Sequence, residues 1–322
     1  MLFSRAPAAA KALSMTTRRS LATAATKKHV GVVGLGQMGG HMANNLRKNG
    51  HNVVVCDVDP RNTKPHADQG SIVAKTPREV AELCDTIVTM LPSTAIVEHV
   101  YLGENGVHEA LRKEHVLIDS STIDPIFTKK LSTELHTRGA TFVDAPVSGG
   151  VVGAENGTLT FMVGGELSEY EKVKPVLLGM GKNIVHCGGS STGQVAKICN
   201  NLALAIQMTS VAEAMNLGEK LGIDPKVLMG IMNTSTSQCW SSTVYNPYPG
   251  LMENVPSSND YKGGFATKLT HKDLGLAVDC AKLAGASMPL TFNTHQIYNL
   301  MMGAGVGDKD FSYVLQFLKG KQ

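Results

Sequence analysis

The sequence predicts an α/β protein, a doubly wound parallel sheet followed by an all-α C-terminal domain. Three observations predict it. From His29 onward, short runs rich in Val and Ile and apolar on both faces alternate with helical segments, as strands covered by helices on both sides do. The first of these runs leads directly into a glycine-rich turn and a helix. Beyond Gly193 the alternation stops, and mainly helix-length segments follow.

The expected strands are 29–33, 52–57, 85–91, 116–120 and 141–144, with 158–164 and 183–187 completing the sheet at its far edge. Helix starts are marked between them. Thr76, Pro77, Arg78 and Glu79 form a capping box with proline at the first helical position, and Asp124 with Pro125 opens the next helix in the same way. The Gly-rich stretch 188–193 closes the first domain, so a dinucleotide-binding unit is expected over 29–192 and a helical unit over 193–322. Residues 194–221 read as one long helix, apolar on most faces, of the kind buried at a domain centre or between subunits. Asp224 and Pro225 cap the following helix, where Met229 and Met232 are core residues. Residues 241–264 read as a long loop, and 264–284 and 292–302 as further helices.

Composition bounds the function. The chain has 322 residues, 43% of them hydrophobic and 18% charged, which is enough apolar material for two cores. No apolar run approaches the roughly 20 residues that span a bilayer, so no membrane partner is expected. Residues 1–28 hold six basic and no acidic residues, so of the overall +3 the remainder carries −3. That balance gives no reason to expect nucleic acid. The leader, rich in Ala, Ser, Thr and Arg and lacking an apolar core, reads as a mitochondrial transit peptide cleaved within 15–28. The six cysteines, Cys56, Cys84, Cys187, Cys199, Cys239 and Cys280, show no pairing or metal-ligand spacing and fit buried thiols in a reducing compartment.

The turn after the first strand is Gly34-Leu35-Gly36-Gln37-Met38-Gly39. Gly-x-Gly-x-x-Gly alone is weak, but here strand, turn and helix stand in the required order of a Rossmann-type unit. Gly34 permits the tight turn, Gly36 lets backbone approach a pyrophosphate, and Gly39 lets helix and strand pack closely. The helix N-terminus offers its unpaired N–H groups to phosphates. The second strand ends at Asp57, 23 residues past Gly34. An acid there accepts the adenine-ribose hydroxyls and repels a 2′-phosphate, which favours NAD over NADP. Arg61 nearby softens that preference.

Two further segments carry chemistry. Ser148, Gly149 and Gly150 follow a strand at the sheet's ligand-binding edge, where their amides suit a carboxylate, although a purely structural glycine turn reads the same. Lys197 and Asn201 lie four apart on one face of the long helix. Apolar neighbours Val195, Ala196 and Ile198 suggest a desolvated lysine fit for proton transfer; spacing equally allows a lysine whose head reaches water.

Several motifs then occur in order: GLGQMGGHMANNL, MLPS, LIDSSTIDP, DAPVSGGVVGAENGTLTFMVGG, GQVAKICNN, CWSS with YNPYPG, and GGFATKLTHKDLGLA. From His29 to the C-terminus the chain resembles the β-hydroxyacid dehydrogenase family. The resemblance implies that the 34–39 turn and Asp57 bind NAD, and that Leu91, Pro92 and Thr122 border its nicotinamide side. It implies that Ser148, Gly149 and Gly150 hold the carboxylate of a small β-hydroxy acid. It makes Lys197 catalytic, places Asn201 against substrate, and brings Lys272 to the cofactor. No metal is implied. A sister activity on another short semialdehyde and a non-catalytic NAD-binding module stay open, and the apolar long helix suggests a homo-oligomer. One departure stands out: Ser191 occupies a place where the family's pattern has glycine, at a cost if that backbone takes positive φ.

Overall fold

The computed structural model describes residues 29–320; the leader read as a transit peptide lies outside the described residues. Nine strands form one sheet: β1 (His29–Val33), β2 (Asn52–Cys56), β3 (Ile72–Val73), β4 (Thr86–Thr89), β5 (Val116–Asp119), β6 (Thr141–Asp144), β7 (Val147–Ser148), β8 (Leu159–Gly164) and β9 (Gly181–Gly188). Their order is β3-β2-β1-β4-β5-β6-β8-β7, with β9 also paired to β8. The strands from β3 through β6 pair in parallel, while β8 is antiparallel to β6 and β7.

Alternation along each strand explains why these runs are apolar on both faces. Val30, Val32, Val53, Val55, Val88, Ile118 and Val143 point into one core, which the helix Gly39–Lys48 covers with Met42 and Leu46. Their neighbours Val54, Ile87, Leu117 and Phe142 point into a second core, which Val80, Tyr101, Leu131 and Leu135 complete. A third core belongs to the helices after Thr192 and is built from Met208, Met215, Met232, Tyr298, Phe311 and Leu315 among others.

The expected strands are present, each within a residue or two of its predicted ends. The two-residue strands β3 and β7 are additions, too short to show a period in sequence. So are the helices Pro60–Ala67, Thr94–Leu102, Gly150–Glu155 and Leu167–Leu177, two of which carry an internal proline. Thr76 caps its helix by accepting from the Glu79 N–H at 3.1 Å. The Glu79 carboxylate reaches back to the Lys75 N–H at 2.7 Å, one residue beyond the predicted reciprocal partner.

The long helix runs Thr192–Lys220, 29 residues, or roughly 40 Å at about 1.5 Å per residue. Its burial within the chain is a single stripe through Lys197, Asn201, Ala205, Met208, Ala212 and Met215, not the all-round burial expected from composition. Its first turn is set against the sheet. A Cβ added at Gly193 would sit 2.2 Å from the Met162 carbonyl oxygen and 2.8 Å from the Asp144 carboxylate, so only glycine lets the helix approach this closely. Gly193→Ala is expected to destabilise the protein by about 1–3 kcal/mol, because backbone and a buried carboxylate must move. Urea unfolding checks this, and an unchanged midpoint would contradict the packing account.

Candidate active site

Parallel pairing aims the carboxyl ends of β1, β4, β5 and β6 at one edge of the sheet. Strand order reverses between β1's two neighbours, β2 and β4, so the crevice opens where the 34–39 turn leaves β1. Gly34 has φ +89°, and a Cβ there would stand 2.4 Å from the Met90 carbonyl oxygen. A Cβ on Gly39 would stand 1.9 Å from the Gly34 carbonyl oxygen, whereas one on Gly36 would meet nothing within 4 Å. The turn is therefore tight toward the protein and open at Gly36, on the side a pyrophosphate needs. Asp57 braces it: one carboxylate oxygen accepts the Leu35 N–H at 2.6 Å and the other accepts the Asp59 N–H at 2.8 Å.

The next loops are tied together. Leu91 N–H donates to Ser121 Oγ at 2.9 Å, and Ser121 Oγ donates to Asp119 Oδ1 at 2.6 Å. Thr89 Oγ1 donates to the same carboxylate oxygen at 2.7 Å. Burial pushes the Asp119 carboxyl up to about 6 against the opposing pull of those hydrogen bonds and of the Lys272 charge. Lys272 Nζ donates to the Thr122 carbonyl at 2.6 Å and pairs with Asp273 at 3.2 Å. So Leu91 and Thr122 belong to one connected pair of loops, with Pro92 following Leu91, and Lys272 of the helix Thr267–Ala284 reaches into it.

Lys197 is 9% exposed, which excludes the alternative of a lysine whose head lies in bulk water. Burial pulls its amine below the ordinary lysine range; the nearby Asp273 carboxylate opposes this and the Lys272 ammonium reinforces it. Asn201, one turn on, donates to Asp273 Oδ2 at 2.6 Å. Lys197, Asn201 and Asp273 thus form one buried polar cluster, with the half-buried Lys272 at its side. An amine whose charged form is disfavoured by burial is suited to take up and return a proton.

Ser148 lies in β7, paired with Thr160 of β8; Gly149 has φ +129° and Gly150, at +63°, starts a short helix. Among the described residues no hydrogen bond joins this turn to Lys197 or Asn201.

The sequence left several participants unassigned. Asp144 ends β6, and its buried carboxylate accepts the N–H groups of Ser191 at 2.7 Å and Gln194 at 2.9 Å, anchoring the head of the long helix. Burial raises this carboxyl to about 6, ahead of the lowering by those two amides. Asp119, Ser121, Gln194 and Asp273 were likewise present only as letters inside quoted motifs. Their partners are distant in sequence, so spacing alone could not find them. Ser191 does adopt positive φ, +72°, the conformation that makes a serine costly there.

Residues 29–189 match the family model described as the NAD binding domain of 6-phosphogluconate dehydrogenase. Residues 191–318 match that described as NAD-binding of NADP-dependent 3-hydroxyisobutyrate dehydrogenase. The chain is 52% identical over 293 residues to the probable mitochondrial 3-hydroxyisobutyrate dehydrogenase of Dictyostelium discoideum, covering 91% of each chain. It is 49% identical over 318 residues to the mitochondrial 3-hydroxyisobutyrate dehydrogenase of Bos taurus, covering 99% of this chain and 94% of that one. Among solved structures, the 3-hydroxyisobutyrate dehydrogenase of Mycobacterium tuberculosis with L-serine is similar at a TM-score of 0.86 and 39% identity, over 90% of this chain and 99% of that one.

Replacing Ser191 with glycine keeps the N–H that Asp144 accepts and removes the left-handed strain. Ser191→Gly is expected to gain about 1 kcal/mol of stability, read as a higher melting temperature. A melting temperature that falls would contradict strain at this residue.

Proposed function

The chain belongs to the β-hydroxyacid dehydrogenase family, among its 3-hydroxyisobutyrate dehydrogenases, and from that premise we propose that Lys197 is the proton-transfer residue of an NAD-dependent oxidation of 3-hydroxyisobutyrate to methylmalonate semialdehyde. That reaction belongs to valine breakdown and, like the relatives named above, the protein is mitochondrial. The observation that carries the proposal is the buried amine of Lys197, grouped with Asn201, Lys272 and Asp273 beside the loops of the sheet edge.

The residues present fit the cofactor. The 34–39 turn is open at Gly36, and Asp57 stands at the end of β2, where its negative charge supports NAD over NADP. NAD held by the 34–39 turn and Asp57 would supply the hydride acceptor for oxidation at the carbinol carbon. Ser148, Gly149 and Gly150 hold the substrate carboxylate by backbone N–H groups and a hydroxyl. Lys197 Nζ takes the hydroxyl proton during oxidation and returns it during reduction. Asn201 orients the hydroxyl. Lys272, tied to the Thr122 carbonyl, closes the site over the cofactor side. Residues 29–192 serve as the dinucleotide-binding unit and 193–322 as the helical unit. Leu217, Leu221, Leu290 and Leu300, each at least 60% exposed, support a homo-oligomer. Sedimentation at micromolar concentration should give a mass above that of one chain; a monomer would contradict this.

Oxidation requires Lys197 neutral, and reduction requires it charged. Its burial lowers the amine, so kcat/KM for oxidation should rise with pH through a value below the ordinary lysine pKa of about 10.4, while reduction falls over the same range. Lys197→Ala should lose roughly 10²- to 10⁴-fold in turnover with NAD still bound. Near-parental turnover in that variant, or an oxidation profile without the limb, would overturn the assignment.

A further inference from the structure

We propose that Gln194 is a positioning residue that fixes Lys197 relative to the cofactor-side loops; this rests on the reading of Lys197 given above. Gln194 is fully buried in the first turn of the long helix. Its side-chain amide bridges to the loop after β5 with both ends. Nε2 donates to the Ser121 carbonyl at 2.7 Å, and Oε1 accepts the Ile123 N–H at 3.1 Å. Its backbone N–H donates to Asp144 at the end of β6. One residue thus ties the helix to the ends of two adjacent strands.

The geometry makes the tie directional. A single hydrogen bond leaves a helix free to rotate about it, whereas two antiparallel bonds from one planar amide, plus a third from the backbone, fix rotation and axial position together. Lys197 follows Gln194 by three residues, on a neighbouring part of the same helix face and about 4.5 Å along the axis. On the other side, the Ser121 whose carbonyl Gln194 grips also accepts the Leu91 N–H through its hydroxyl. Leu91, Ser121, Gln194 and Lys197 therefore form a short path from the cofactor-side loop to the amine. Gln194 touches neither substrate nor cofactor in this account. It acts by setting the distance between the groups that do, and a misplacement of about 1 Å can cost about 10²-fold in rate.

The test compares the parent enzyme with Gln194→Met, which keeps the volume but loses both bonds, and Gln194→Glu, which keeps the acceptor for Ile123 and loses the donor to Ser121. Each folded protein is assayed for kcat, KM for NAD and 3-hydroxyisobutyrate, and the primary isotope effect with substrate deuterated at the carbinol carbon. Positioning predicts a kcat at least tenfold lower in both variants, KM for NAD within about threefold of the parent, and a larger isotope effect as hydride transfer becomes rate-limiting. If Gln194→Met fails to fold, Gln194→Glu carries the same test. Tyr298→Phe removes a buried hydrogen bond to Phe311 within the helical core, far in sequence from this junction, and should keep parental kcat despite lower stability. A folded Gln194 variant with parental kcat and isotope effect overturns the proposal.

Backbone amide exchange separates this failure from failure of the functional reading. A parent enzyme without turnover on any β-hydroxy acid would refute the reaction. The tie would still predict that Gln194→Met exposes 119–123 and 194–198 to exchange together. Exchange raised on one side alone would refute the tie.

Discussion

The buried carboxylate of Asp144, set against the head of the long helix, is the contact on which the site's geometry depends. It ends a core strand, and it accepts the Ser191 and Gln194 amides that the helix's first turn cannot pair internally. Burying a carboxylate is costly, and its rise to about 6 records that cost. Two charge-assisted hydrogen bonds, each typically worth about 1.5–3 kcal/mol, and the positive end of the helix dipole offset it. The approach is close enough that Gly193 and Gly164 both lack room for a Cβ beside this carboxylate.

From that contact the rest follows in sequence. A helix fixed at its first turn carries Lys197 and Asn201 at fixed heights on its buried stripe. The helix Thr267–Ala284 packs alongside and brings Lys272 and Asp273 to the same place. Lysine burial then supplies the electrostatics: desolvation disfavours the ammonium, the Asp273 carboxylate opposes that and the Lys272 charge adds to it. The cluster holds two cations against one carboxylate, with Lys272 committed to Thr122 and Asp273. No such hydrogen bond or ion pair holds the Lys197 amine among the described residues, which is why the proposed proton transfer is assigned to it. The sheet edge supplies the other half, because parallel strands deliver the glycine turn and the Leu91 and Ser121 loops to a single crevice.

Much of this was legible before any coordinates. Runs such as Val53–Val55 alternate between two cores, and that two-sided burial shows in sequence as continuous apolar character. The glycine turn and the place of Asp57 were legible because each follows the end of a strand, whereas the burial of Lys197 was not, since its spacing equally allowed a head in water. The serine at 191 was legible as a departure, and its left-handed backbone gives that departure a physical meaning. The ties that hold the site were not legible. Asp144 bonds to residues 47 and 50 positions away, and Gln194 to partners 71 and 73 away. No local period encodes such pairs. Which face of the long helix its own chain covers was hidden for the same reason, since composition counts apolar residues without knowing where a neighbour lies.

This docking is proposed to bring the Lys197 amine to the reacting hydroxyl. The most direct measurement is a crystal structure with NAD and a β-hydroxy acid bound. Lys197 Nζ should then lie within about 2.6–3.2 Å of the substrate hydroxyl, with the acid group on the Ser148 turn and the carbinol carbon facing the nicotinamide ring. An amine directed away from the hydroxyl, with another side chain in its place, would contradict it.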